Sequence, residues 1–168
     1  MSLHRPPPRI FAFIIGIDEY QSPNIPNLEG AVADADAVLN YLQNYLRVPS
    51  LQIRNLRNNE ATRTAIIDGI KAFSLDDDIN EGDAILIYYS GHGGSAKTPK
   101  GWEVWSTGNI ELLVPYDHSS VKDDPKYGVP DRTLGALISD IAITGKKGDN
   151  IVRRIFILRE FIYQLTTT

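Results

Sequence analysis

Two stretches of the chain are apolar at odd and even positions alike. Ile10 to Ile17 (IFAFIIGI) and Ala84 to Tyr89 (AILIYY) have the pattern of strands covered by helices on both sides, not of strands half open to water. Between them the period lengthens to that of a helix. From Leu28 to Val48, apolar side chains recur at Val32, Ala35, Leu39, Leu42, Tyr45 and Leu46, and Pro49 follows as a stop signal. Leu51 to Leu56 reads as a short edge-like strand. Ala61 to Phe73 repeats the helical period through Ala65, Ile66, Ile70 and Phe73, and Gly69 lowers its propensity without overturning it. Asp76 to Asp83 is an acidic turn before the second buried strand. That strand runs into Ser90, Gly91, His92, Gly93 and Gly94, where the glycines are predicted to force the chain out of regular structure. Ser95 to Gly108 reads as a polar loop carrying Trp102 and Trp105, and a further strand from Ile110 to Val114 is closed by Pro115. Asp131 can cap a helix from Arg132 to Ile143, with Leu134, Leu137, Ile138 and Ile141 inward. A last strand is expected to begin near Ile151. Its adjacent Arg153 and Arg154 would point to opposite buried faces, so it is expected to be displaced or frayed. Alternation of strands and helices implies an α/β fold, a doubly wound, mainly parallel sheet with helices on both faces and right-handed crossovers.

Composition narrows the possible functions. A chain of 168 residues with 42% hydrophobic content suits one domain with a real core. The formal net charge of −4 gives no broad basic surface for phosphates, which argues against a nucleic-acid partner. Cysteine is absent, which excludes disulfides, thiolate metal sites and cysteine catalysis. The basic, proline-bearing start leads into a short apolar run that is followed at once by Asp18 and Glu19, unlike a secretory signal. No run approaches the roughly 18 apolar residues of a membrane span, so a soluble, cytoplasmic protein without a membrane partner is expected. The division expected is a flexible proline-rich tail over 1–9, a core over 10–152 and a divergent tail over 153–168.

Reactive groups of an open parallel sheet collect at the carboxyl edge of its strands, which is where the sequence puts His92. An imidazole there can exchange a proton near neutral pH, and the flanking Gly91 and Gly93 leave room for a substrate backbone. On the residues alone two other readings stay open. One is a tight turn whose histidine is an ordinary hydrogen-bonded residue; the other is an anion cradle of backbone N–H groups, weakened by the absence of any known phosphate-loop spacing. Asp34 and Asp36, near the start of the first helix, are the usual favourable partners of a helix dipole. Asp76, Asp77 and Asp78 lack the spacing of a calcium loop and read as a solvated turn.

Several segments together resemble the caspase-like fold of the metacaspase type, particularly the fungal caspase-domain proteins. They are FAFIIGIDEY at Phe11 to Tyr20, NLEGAVADADAVLNYL at Asn27 to Leu42, ATRTAI at Ala61 to Ile66 and DAILIYYSGHGG at Asp83 to Gly94. LLVPYD at Leu112 to Asp117, VPDRTL at Val129 to Leu134 and GDN at Gly148 to Asn150 complete the set. The resemblance spans Ile10 to Ile151 and implies a flavodoxin-like core, truncated on its C-terminal side. It implies peptide hydrolysis by a cysteine-histidine dyad, with His92 in the histidine role, Gly91 and Gly93 in the backbone loop beside it, and Asp34 in a pocket for a P1 Arg or Lys. No cofactor is implied except calcium, and the expected partner is a peptide or protein. The family's cysteine belongs in a D-x-C-x-S-G segment, whereas this sequence reads IVRRIFILREFIYQLTTT from Ile151 onward. The last serine is Ser139, within a predicted helix, so nothing replaces the nucleophile. The resemblance together with the missing cysteine therefore implies an inactive chain, a pseudoenzyme, through a splice, frameshift or truncation at the 3′ end.

Overall fold

The computed structural model describes residues 9–98, 108–119, 127–143 and 151–161, and of 152–161 the backbone alone. The tail over 1–8, the tryptophans at 102 and 105, and the GDN segment lie outside the described residues. As the two-sided apolar pattern requires, β1 (Ile10–Gly16) and β3 (Ala84–Lys97) lie side by side and parallel, in register from Ile10↔Ala84 to Gly16↔Ser90. β2 (Ile53–Arg57) pairs parallel to the other edge of β1. β4 (Asn109–Leu113) runs antiparallel to the far half of β3, and the short β5 (Val129–Pro130) antiparallel to β4. β6 (Ile151–Phe161) runs parallel to β3 from Ile85↔Ile151 to Gly94↔Phe161. A strand has two edges. Since β6 holds one edge of β3 from Ile85 to Gly94, β1 and β4 share the other, one after the other. The Ile17 N–H on the Ser90 carbonyl and the Val114 N–H on the His92 carbonyl, both at 3.0 Å, mark the handover.

The helices divide between the two faces of this mixed sheet. On one, α1 (Ala31–Asn40) packs Ala35 with Ala12, Ile14 and Tyr88, and a π-helical turn over Tyr41–Tyr45 continues it. On the other, α2 (Arg63–Leu75) and α3 (Asp131–Ile143) bury Ile66, Ile70, Phe73, Leu134, Leu137 and Ile141 against Phe11, Phe13, Ile15 and Tyr89. Each fully buried Ile or Phe contributes about 1.5–3 kcal/mol by leaving water, so this larger cluster dominates the core. Arg9 fastens the start of β1. Its N–H and guanidinium each bond an Asp83 oxygen at 2.9 Å, the guanidinium also bonds the Asp78 carbonyl, and the Ala84 N–H bonds the Arg9 carbonyl at 2.8 Å.

Two expectations are corrected. Gly91 to Gly94 do not break the strand: β3 continues to Lys97, and none of its glycines has a positive φ. Pairing on both edges keeps Gly93 and Gly94 extended, the β6 ladder carries Gly91 and His92 across a register irregularity, and Gly91 answers to packing, since a Cβ there would meet the Tyr89 hydroxyl at 2.7 Å. Nor do Arg153 and Arg154 displace the last strand, whose backbone pairs with β3 through both. The two-residue β5 is too short for any periodicity. Among the described residues no helix is long and apolar enough to cross a membrane.

Candidate functional site

His92 lies on β3 just past the carboxyl end of β1, with no exposed surface. The loop from β1 to α1 covers it. Tyr20 stacks obliquely on the imidazole, centroids 4.9 Å apart, and the Pro26 carbonyl lies 2.8 Å from Nε2. A carbonyl can only accept, so Nε2 carries the proton in this bond. The backbone of His92 is held as closely. Its N–H donates to the Tyr20 hydroxyl at 2.8 Å, and its carbonyl accepts from the Tyr89 hydroxyl at 2.8 Å and from the Val114 N–H at 3.0 Å. Burial drives the pKa of Tyr20 and of Tyr89 well above the ordinary tyrosine range. Both therefore act as neutral hydroxyls that fix the histidine in place.

The covering loop is itself ordered by long-range bonds. Asp18 accepts the Ala31 N–H at 2.7 Å and the Val32 N–H at 3.2 Å, capping α1 from 13 residues upstream, and its own carbonyl accepts the Leu28 N–H at 2.8 Å. Asn58 accepts the Asp18 and Glu19 N–H groups at 2.9 and 3.2 Å. Along the outside of the loop runs an open depression of about 400 Å³, lined by Tyr20, Gln21, Ser22, Pro23, Ile25, Pro26 and Asn27.

The other residues singled out from the sequence fall around this centre. Gly91 and Gly93 are buried, and Gly93 is paired on both edges, with Leu113 and Glu160. Asp34 is exposed in the first turn of α1. Burial first, and the Asp34 charge second, raise the pKa of Tyr88, so this carboxylate is within electrostatic reach of a side chain four residues ahead of His92. Asp36 pairs instead with Arg57 at 3.0 Å. The acidic turn is engaged internally, Asp76 with Arg54 at 3.2 Å and with the Asp78 N–H at 3.1 Å, and no group of three potential metal ligands occurs among the described residues. Sequence reasoning missed Asp18, Tyr20, Pro26 and Tyr89 as parts of the site. Tyr89 had read as part of a buried strand and Tyr20 only as the end of a matching string, and nothing in local spacing links Asp18 to a helix that starts 13 residues later.

The strand beside His92 decides what the site can do. In the register of β6 on β3, His92 pairs with Arg159 and Gly93 with Glu160, and neither position offers a thiol or hydroxyl. An imidazole so placed can hold or pass a proton. It has no cysteine thiol to activate.

The Caspase domain family model matches residues 9–138. Metacaspase-1 of Candida glabrata is 32% identical over 130 residues, covering 73% of this chain and 32% of the relative. The chain thus spans about a third of that protein's length. The crystal structure of protein GSU0716 from Geobacter sulfurreducens superposes with a TM-score of 0.61 at 21% identity, covering 89% of this chain and 49% of the other, a likeness of fold. With the matched residues running from the start of β1 into α3 and including His92, this chain belongs to the caspase domain family, as a member without a catalytic cysteine.

Proposed function

We propose that this chain is a non-catalytic caspase-type domain that binds a peptide segment or a partner domain and does not cleave it. The observation that carries the reading is the absence of any cysteine in a domain whose family reaction needs one beside the histidine. The β6 register supports it, since Arg159 and Glu160 stand at the positions neighbouring His92 and Gly93. So does the seating of the imidazole, with Nε2 on the Pro26 carbonyl and the ring under Tyr20. The depression along Tyr20 to Asn27, with Gln21, Ser22 and Asn27 among its lining, suits a peptide backbone more than a charged small molecule. Asp34 supplies the remaining attraction for an Arg or Lys side chain. Exposed ion pairs are worth about 0.2–1 kcal/mol, so Asp34→Asn should weaken binding of an Arg-containing peptide no more than about fivefold.

The test is turnover of fluorogenic peptides with Arg or Lys at P1, with and without calcium. The purified chain should give no cleavage above buffer, and His92→Ala should change nothing. Cleavage abolished by His92→Ala would overturn the non-catalytic reading. Cleavage that survives it would point to chemistry unrelated to the family dyad. A chimera that replaces the sequence after Asn150 with a family-type strand ending in D-x-C-x-S-G should, once folding is shown by circular dichroism, gain activity sensitive to thiol alkylation and to His92→Ala.

A further inference from the structure

Asn58 holds the surroundings of His92 through a relay of hydrogen bonds. It follows β2 directly, with φ at 43°, a left-handed conformation that asparagine tolerates better than most residues. Its side-chain amide meets two donors, the Asp18 and Glu19 N–H groups at 2.9 and 3.2 Å, so the oxygen, not the nitrogen, faces them. Its backbone carbonyl accepts the Ala61 N–H at 2.8 Å. The Ala61 carbonyl in turn accepts the Tyr116 N–H at 3.0 Å, and the Tyr116 carbonyl the Gln21 N–H at 2.9 Å. Glu19 is thus held by the side chain of Asn58, and Gln21 by a relay that starts from its backbone. Tyr20, between them, is fixed from both sides.

Tyr20 carries this order to the site. Only 8% exposed, it accepts the His92 N–H on its hydroxyl at 2.8 Å and lays its ring on the imidazole. Asp18, fixed at its N–H by Asn58, closes the base of the covering loop with its carbonyl on the Leu28 N–H and its carboxylate on the start of α1. Compact loops closed at the base are frequently functional, and this one brings the Pro26 carbonyl to Nε2. Any residue at position 58 would leave the backbone relay and the Asp18 bonds to Leu28 and α1 their partners. What asparagine adds is the side-chain oxygen.

We propose that Asn58 is a positioning residue of the His92 site: its side-chain oxygen sets Tyr20 and the Pro26 carbonyl against the imidazole, keeping the ring covered and its proton on Nε2. This concerns how the imidazole is set, and it stands whether or not the same edge binds a peptide.

Asn58→Gly tests it, because glycine adopts a positive φ without strain and removes only the acceptor. In the chain as it stands, long-range proton–nitrogen NMR spectra should show His92 as one tautomer, protonated on Nε2, and carbethoxylation of His92, mapped by peptide mass spectrometry, should be slow. In Asn58→Gly that carbethoxylation should be faster by about tenfold, the effect of losing two ordinary hydrogen bonds, and the ring nitrogens should shift toward the average of the two tautomers. His118, 3% exposed, should stay as slow as before. Asn58→Asp keeps the acceptor and tolerates the backbone conformation, so it should restore both readouts. Matching circular dichroism spectra establish that the fold is kept; should the glycine variant fail to fold, Asn58→Ser, too short to reach both N–H groups, carries the same comparison. Unchanged His92 rates and spectra in the folded variant overturn the proposal. So does a rise at His118 equal to that at His92, which would make Asn58 a general element of stability, and so does an Asn58→Asp variant that behaves like the glycine one.

Discussion

Two glycines, each inside a helix, should respond with opposite signs to the same substitution. Helix propensity alone makes alanine better than glycine by about 0.8–1.0 kcal/mol. At Gly135 in α3 a Cβ would meet nothing within 4 Å, so Gly135→Ala should gain about 0.5–1 kcal/mol. At Gly69 in α2 the added Cβ would lie 2.6 Å from Cε1 and 3.0 Å from Cε2 of Phe13, and closer still to Cζ. Phe13 is 1% exposed on a strand with neighbours on both edges, so its ring can give way only by disturbing the packed side chains around it. Forcing a methyl group into a packed core costs about 1–3 kcal/mol. In so confined a place the upper half of that range applies, which leaves Gly69→Ala destabilised by about 1–2 kcal/mol after the propensity gain. For a domain of this size 1 kcal/mol corresponds to about 2–4 °C in Tm. Gly69→Ala should therefore melt about 2–8 °C lower and Gly135→Ala about 1–4 °C higher, followed by circular dichroism with urea unfolding as a check. If Gly69→Ala matches the gain of Gly135→Ala, the close seating of α2 on β1 is refuted.

Asp18→Ala removes the acceptor for two N–H groups of α1, so it should cost about 0.5–2 kcal/mol, with Asp18→Asn falling between. An unchanged melting temperature for the alanine variant would show that the remote cap contributes nothing. For Asp83, burial alone would raise the carboxyl pKa, but hydrogen bonds from the Asn80 N–H, the Arg9 N–H and the Arg9 guanidinium outweigh it and hold the pKa below the usual value. A pKa depressed by folding stabilises fully above the unfolded value near 3.9, and that stability is lost as pH falls through the folded value. Asp83→Asn should therefore cost about 1.5–3 kcal/mol near neutral pH and progressively less in acid. A gap between the two proteins that stays constant down to about pH 2 would exclude this linkage.

The parts of the fold visible in the sequence were those where one requirement acts along a whole element. β1 needs apolar residues on both faces, and the helices need an apolar stripe, so both announce themselves. The glycines after Ser90 misled because their usual meaning is local, whereas here neighbouring strands carry the ladder on past a register irregularity at Gly91 and His92, and Gly91 yields room to the Tyr89 hydroxyl. The arginines at 153 and 154 misled in the same way. Side-chain burial was weighed there, but the backbone ladder formed nonetheless. At the site, His92 was legible because its surroundings in the sequence form a recognisable string. Its contacts were not, since Tyr20 and Pro26 reach it from a loop 72 and 66 residues away.

The edge of β3 that β6 holds also bears on how the chain folds as it is made. Ile85 pairs with Ile151, 66 residues later (151 − 85), so the central strand is completed only by the last strand. At synthesis rates of about 5–20 residues per second, that interval lasts roughly 3–13 s. Throughout it, β1 can occupy its own side of β3 while the opposite row of N–H and C=O groups stays unsatisfied, in a strand rich in isoleucine and tyrosine. Open edges of that composition pair with other chains. Yield should therefore depend on how quickly the final strand is delivered, and slow codons between Gly94 and Ile151 should send more of the product into aggregates without altering a single residue of the sequence.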